Sequence, residues 1–248
     1  MLVDLRGNLL QSVAKELVAH HNVDPARISA WACDVSDSKA VAQLVDKVNR
    51  AVAPAHVSVL VNNAGTAGVA VLVYECVCLV LACFQRPPAC WLSIAGVVMG
   101  KPLAELTDEQ ITRTMGVNCL AHFWLARGFL PQMEAANDGV VVGMSSLMGL
   151  MSGAALTDYC ASKHAVVGFM ESLRLGLRRR KRWGVSTLTV CPFAVDTGMF
   201  SGIFRSDASD SFVRRTLFPL LTGEAVARRV VDAVRARESL VVMPAILR

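Results

Sequence analysis

Tyr159 and Lys163 stand four residues apart in Asp158-Tyr159-Cys160-Ala161-Ser162-Lys163, a spacing that puts both side chains on one face of a helix. A phenol that titrates at about 10 is a poor base at neutral pH, and an ammonium within a few ångströms favours the phenolate. Such a pair can move a proton to or from an alcohol oxygen. Ser146 precedes Tyr159 by thirteen residues and follows an apolar strand, so its hydroxyl can meet the same oxygen where that strand ends. Asn118, in Met115-Gly116-Val117-Asn118, is placed to hold a water that links Lys163 to solvent. Taking a proton from an alcohol requires something to accept the hydride, which implies a nicotinamide cofactor. A Tyr-x-x-x-Lys match by itself also fits an ordinary surface helix, so the surrounding elements must decide.

Those elements alternate. Met1–Asp4, Ile28–Cys33, Val57–Val61, Gly139–Met144, Val185–Val190 and Leu240–Met243 read as short apolar strands. Between them, Asn8–His21 carries a helical apolar stripe. Asp37 caps a helix that runs to Ala53 and is stopped by Pro54. Thr107–Leu130 reads as one long helix with Thr107 and Gln110 as a capping box; Asp158–Arg182 and Thr222–Arg237 follow. Strands without polar alternation, each separated by a helix, predict one α/β domain over residues 1–248. Its core is a doubly wound parallel sheet that binds ligands beyond the carboxyl ends of its strands.

Composition excludes other classes. Of 248 residues, 54% are hydrophobic and 18% charged, which rules out disordered and low-complexity chains. Lys and Arg number 25 against 20 Asp and Glu, and the excess comes from the consecutive Arg178, Arg179, Arg180, Lys181 and Arg182. No nucleic-acid surface is expected from one such run. It follows a helical pattern, where cations complement the negative helix end, and an anionic membrane surface is the alternative reading. The eight cysteines form no CxxC pair and no zinc spacing, so no metal site is expected and a reduced, intracellular compartment fits. The opening MLVDLRGNLL carries no signal-peptide pattern.

One stretch breaks the alternation. Thr66–Gly96 holds only two charged residues, Glu75 and Arg86, and four of the eight cysteines. Ala67–Phe84 is apolar but for Glu75 and can be weighed as a membrane span. A span there would part a core strand from its covering helix, so the stretch reads instead as an insert foreign to the fold.

Asp34-Val35, Asn62-Asn63-Ala64-Gly65, Asn118, Ser146, Tyr159, Lys163 and Pro192 to Thr197 follow the order of the short-chain dehydrogenase/reductase family, which this chain resembles from Asp4 to Thr197. Asn118 to Trp124, Asp158 to Lys163 and Val190 to Phe200 are similar to its branch of retinol and 17β-hydroxysteroid dehydrogenases. That branch acts on lipids at the endoplasmic reticulum or lipid droplets. The resemblance implies a Rossmann-like fold with Tyr159 as catalytic acid/base, Lys163 on the nicotinamide ribose, Ser146 orienting the substrate and Asn118 serving the proton relay. It implies further that Asp34 and Val35 flank adenine, that Asn63, Ala64 and Gly65 approach the adenosine ribose, and that Val195 and Thr197 hold the carboxamide. Asp4 matches the acid on the ribose 2′-hydroxyl, which favours NAD over NADP because a carboxylate repels a 2′-phosphate. The implied substrate is a small apolar alcohol or ketone; membrane association and pairing into a homodimer are implied as well. The apolar loop Met199–Phe218 would close over the substrate.

The chain departs from the family at its start. The family opens with a strand and a glycine-rich turn that presents amides to the pyrophosphate, and neither is found here. The first visible strand resembles the family's second. The missing strand is central in this fold, so two unpaired edges are expected inside the sheet, a cost beyond the stability of a domain. On that expectation the chain is a poor enzyme, or a non-catalytic product that no longer binds cofactor. Val69–Val80 folding back as an antiparallel substitute is the one rescue the sequence offers.

Overall fold

Leu60, Val61, Val141, Val142 and Val190 are buried from both sides, as the unbroken apolar runs require of strands covered on two faces. The computed structural model describes residues 2–4, 10–12, 14–15, 18–19, 24–25, 28–63, 89–94, 97–195 and 220–244. Its strands are β1 (Leu2–Asp4), β2 (Ala30–Ala32), β3 (Val57–Asn63), β4 (Ala89–Ile94), β5 (Gly139–Met144), β6 (Val185–Pro192) and β7 (Leu240–Met243). They join in one parallel sheet in the order β2-β1-β4-β3-β5-β6-β7. Helices α1 (Ser38–Val52), α2 (Asp108–Met115), α3 (Ala121–Ala136), α4 (Thr157–Arg179) and α5 (Gly223–Arg235) cover it.

The two faces have separate cores. Val226, Val230 and Val234 of α5 pack on Val61, Val142 and Val190. On the other face, α1, α3 and α4 bring Val41, Val45, Leu125, Phe129, Val166 and Met170 against Leu60 and Val141. Each such side chain taken fully from water contributes about 1.5–3 kcal/mol. Local chemistry sets the helix ends. Asp37 caps α1 through Lys39 N, and the Thr107–Gln110 capping box is formed at α2.

The gap expected inside the sheet is closed. β4, drawn from the Thr66–Gly96 insert, lies between β1 and β3, and Leu92 pairs with Leu2 on one side and Val61 on the other. It runs parallel to both neighbours, so the closure is not the antiparallel one expected of Val69–Val80, which lies outside the described residues. The backbone groups of both edges therefore find partners. Part of the insert belongs to the sheet, and the expectation that it is foreign to the fold is corrected on that point. Ala67–Phe84 also lies outside the described residues; among those described, no helix is long and apolar enough to cross a membrane.

A second difference concerns Thr107–Leu130. It is not one helix: α2 ends at Met115, a π-helical turn spans Gly116–Leu120, and α3 continues through Pro131 to Ala136. The turn re-aims Asn118, which sits at its centre, and single π turns inside helices recur at functional sites.

Candidate active site

β5 ends at Met144, and its continuation delivers Ser145 and Ser146 to the carboxyl edge of the sheet. Ser146 caps a short 3₁₀ turn (Leu147–Gly149) by accepting a hydrogen bond from Met148 N at 3.2 Å, and donates to the Pro192 carbonyl at 3.4 Å. The first turns of α4 place Tyr159 and Lys163 beside it. Ser145 Oγ donates to the Lys163 carbonyl at 2.9 Å, pinning α4 to the loop after β5. Gly149 fits the same junction because a Cβ there would stand 2.7 Å from the Lys163 carbonyl.

Lys163 is buried and its ammonium donates to the Met144 carbonyl at 3.1 Å, with Nζ 5.6 Å from the Tyr159 ring centre. Burial pushes the ammonium pKa down to about 7, opposed by the Cys191 and Cys119 thiols beside it. Burial also dominates at Tyr159 and pushes the phenol up to about 12, with a hydrogen bond to Ser146 pulling the other way. Burial outweighs every lowering influence on the phenol in this geometry, and a hydrogen bond links it to Ser146. Leu156, Cys160, Val98 and Met148 form the apolar wall around its ring.

Asn118 is fixed by three hydrogen bonds of its side chain. Its Oδ1 accepts from Val97 N at 2.8 Å, and its Nδ2 donates to the Val97 carbonyl at 2.8 Å and to Ser162 Oγ at 3.1 Å. The side-chain amide thereby clamps the segment after β4 to α4. Ser162 in turn donates to the Tyr159 carbonyl at 2.7 Å, so Asn118 supports the turn that carries Tyr159. Below it, Thr114 Oγ1 donates to Asp158 Oδ2 at 2.8 Å and ties α2 to the start of α4.

The cofactor residues implied by resemblance spread along the same edge. Asp34, exposed just beyond β2, accepts from Ser36 N at 2.9 Å and Ser36 Oγ at 2.6 Å, next to buried Val35. Asp4 ends β1 and Asn63 ends β3. Val195 pairs with Leu221 in an isolated bridge beyond β6. Ala64, Gly65, Thr197 and Met199–Phe218 lie outside the described residues. β2 and β5 are four strands apart, about 19 Å at a spacing of about 4.8 Å. The strand that leads to Asp34 and the strand whose end holds Lys163 are thus separated by about the length of a dinucleotide, so these residues would suit its adenine and nicotinamide ends. They would not suit the pyrophosphate: Val97–Lys101 and Pro102 lead from β4 to α2, and among the described residues no glycine-rich turn opens a helix there.

Cys191, Cys119 and His122 are neighbours of Lys163 that residue spacing did not single out. Cys191 ends the apolar part of β6, and burial pushes its thiol up to about 11. His122, one helical turn beyond Asn118, is buried beside the Asn62 backbone. Burial and then Lys163 hold its pKa down to about 3, partly offset by the Asn62 backbone. The available signal was position: His122 at i+4 from Asn118, and Cys191 immediately before Pro192.

A family profile described as short chain dehydrogenase matches residues 1–75 and 92–208. Epidermal retinol dehydrogenase 2 of Mus musculus is 33% identical over 222 residues, which cover 90% of this chain and 59% of that protein. Retinol dehydrogenase 10 of Homo sapiens is 39% identical over 188 residues, covering 76% of this chain and 45% of the relative. The chain therefore spans about half the length of the relatives it matches. Among solved structures, a short chain dehydrogenase/reductase from Burkholderia phymatum in complex with NAD is 25% identical at a TM-score of 0.71, covering 99% of this chain and 80% of that one. A short-chain dehydrogenase from Sphingobium yanoikuyae in complex with NADPH shares the fold at 17% identity and a TM-score of 0.71, covering 98% of this chain and 78% of that one. The matched profile runs over more than half of the chain: this protein belongs to the short-chain dehydrogenase family.

Proposed function

We propose that the chain is an oxidoreductase that moves a hydride between a nicotinamide cofactor and the CH–OH or C=O group of an apolar alcohol or ketone of retinoid or steroid type. The observation that carries this reading is the buried Tyr159 phenol, hydrogen-bonded to Ser146 at the end of β5 with Lys163 behind it. Ser146 and Tyr159 orient the substrate oxygen. In reduction the phenol, kept protonated by burial, gives its proton to the carbonyl oxygen and becomes the phenolate; in oxidation it is the phenolate that takes the alcohol proton. Lys163, anchored on the Met144 carbonyl, is placed to hold the nicotinamide ribose. When bound, the cofactor supplies or accepts the hydride.

Leu150 and Met151, 43% and 46% exposed, follow the turn capped by Ser146 and offer apolar surface at the mouth of the site, which supports an oily substrate. The retinol dehydrogenases among the relatives support the same class. Asp4 at the end of β1 favours NAD over NADP. Two copies are proposed to pair through the outer faces of α3 and α4, where Phe123 and Phe169 pack at a tilt with ring centres 4.3 Å apart. Attachment to the membranes or droplets where such lipids reside belongs to the same proposal.

A second reading rests on the absence, among the described residues, of a glycine-rich turn that opens a helix: a chain that keeps the catalytic cluster without binding cofactor. NADH titration followed by fluorescence separates the two. Saturable binding, with retinol or steroid turnover lost in Tyr159→Phe, supports the dehydrogenase. Absence of binding establishes the second reading, and turnover retained by Tyr159→Phe overturns the assignment of the acid/base.

A further inference from the structure

At the amino-terminal edge of the sheet, away from the catalytic residues, a cavity of about 180 Å³ opens between the end of α4 and the starts of β6 and β7. Arg174, Arg178, Arg182 and Arg237 line it, with Trp183 at the rim and Ser186 and Thr187 of β6 along its wall. Ser186 lies six residues before Pro192, whose carbonyl accepts from Ser146, so about 20 Å of strand separates this cavity from the active site. It is a separate place, built from the basic run that the catalytic chemistry leaves unused.

The charges there are only partly neutralised. Arg174 is clamped by Glu171, and Arg180 and Arg182 share Glu134. Arg178, Arg179, Lys181 and Arg237 form no ion pair among the described residues; Arg237 instead donates to the Trp183 carbonyl at 3.5 Å. Concentrating guanidinium groups around one hollow costs self-repulsion, which a bound anion would relieve. Helix complementarity accounts for Arg178 and Arg179 in the last turn of α4, but not for Arg237, which reaches the hollow from the turn after α5. The Ser186 hydroxyl is a second, independent pointer. It is shielded from solvent and without a hydrogen-bond partner, on the wall of the same cavity. Buried hydroxyls are normally satisfied, and an anion's oxygen would satisfy this one. Forked, planar guanidiniums with a hydroxyl donor match the several acceptor oxygens of a tetrahedral phosphate group.

We propose that this cavity binds a phosphate-bearing anion, through the guanidiniums of Arg178, Arg182 and Arg237 and the hydroxyl of Ser186. The same chemistry is offered by a free phosphate group and by a phospholipid headgroup. The test uses the full chain and two probes. Inorganic phosphate is titrated at ionic strength held constant with chloride, followed by Trp183 fluorescence and assigned with Trp183→Phe. Vesicles of phosphatidylcholine, with and without phosphatidic acid, are tested by co-sedimentation.

Binding of either probe, weakened at least tenfold by Arg178→Gln with Arg182→Gln and at least threefold by Ser186→Ala, is the expected result. Saturation by phosphate assigns the site to free phosphate groups, and binding to acidic vesicles alone assigns it to a lipid headgroup. The arginines are exposed and Ser186→Ala removes one unpartnered oxygen, so the variants retain the native circular dichroism. Binding of neither probe above the chloride control overturns the proposal. So does binding that falls with the arginines and not with Ser186→Ala, because diffuse surface charge would then explain it.

Discussion

The Lys163 ammonium is held by the Met144 carbonyl at 3.1 Å and stands 5.6 Å from the centre of the Tyr159 ring. A strand end, rather than a carboxylate, thus anchors the buried cation. A carbonyl dipole offsets less of the desolvation cost than a counter-charge would, which is why burial moves both titrating groups toward their neutral forms.

Lys163 makes stability depend on alkaline pH. Its pKa falls from about 10.5 to about 7 on folding, so between those values the unfolded chain binds the extra proton. Stability from this group therefore rises as pH increases from 7 toward 10.5, by up to about 1.4 kcal/mol per pH unit. Lys163→Met is expected to flatten that rise in urea unfolding at pH 7 and pH 9, and to abolish turnover. An unchanged pH dependence would sink the assignment of a buried, strained ammonium.

Asn118 is expected to matter for stability as much as for activity. Asn118→Ala strips partners from the Val97 amide and carbonyl and from Ser162 at once. Unsatisfied buried groups of this kind cost about 1–3 kcal/mol each, and the segment after β4 would loosen from α4. Unfolding by denaturant should show a loss of about 2–4 kcal/mol for the variant. A loss below about 0.5 kcal/mol would mean that the clamp is not formed in solution.

Local chemistry made parts of this architecture readable from the residues alone. Thr107 and Gln110 complete their capping box within one turn, and Tyr159 and Lys163 share a face by helical period, so neither needed knowledge of distant contacts. The apolar run at Ala89–Ile94 was unreadable because a strand's own side chains do not record which edges it will pair with. Asn118 was legible as a functional asparagine but not as a clamp, since its partners, Val97 and Ser162, come from two other segments. Cys191 and His122 act on Lys163 only by proximity across elements, which spacing along the chain cannot reveal.

His122 supplies an acid-side test. Its pKa drops from 6.5 to about 3 on folding, so below pH 6.5 the unfolded chain takes up a proton that the folded chain refuses. Stability is then lost as pH falls from 6.5 toward 3, again by up to about 1.4 kcal/mol per unit. His122→Phe, which removes the titrating ring, should stabilise the protein relative to the parent at pH 4.5 by more than it does at pH 7. Comparing the two chains cancels the shared titration of carboxylates. Parallel losses in both on acidification would show that His122 is not buried in the neutral form.

β4 carries the strongest claim about the fold, because it joins β2 and β1 to the rest of the sheet. Leu92 pairs with Leu2 and with Val61 and has a ladder on each side. Leu92→Pro removes one amide donor and imposes a ring where neighbouring strands lie on both sides, a position from which proline is excluded in central strands. The variant should lose about 3 kcal/mol or more and with it the cooperative melting transition. It would also separate Asp34 and Asp4 from Lys163, so NADH binding, where the parent shows it, should disappear together with the melt. A Leu92→Pro chain with parental circular dichroism and melting temperature would place Ala89–Ile94 outside the sheet and restore the open gap between β1 and β3.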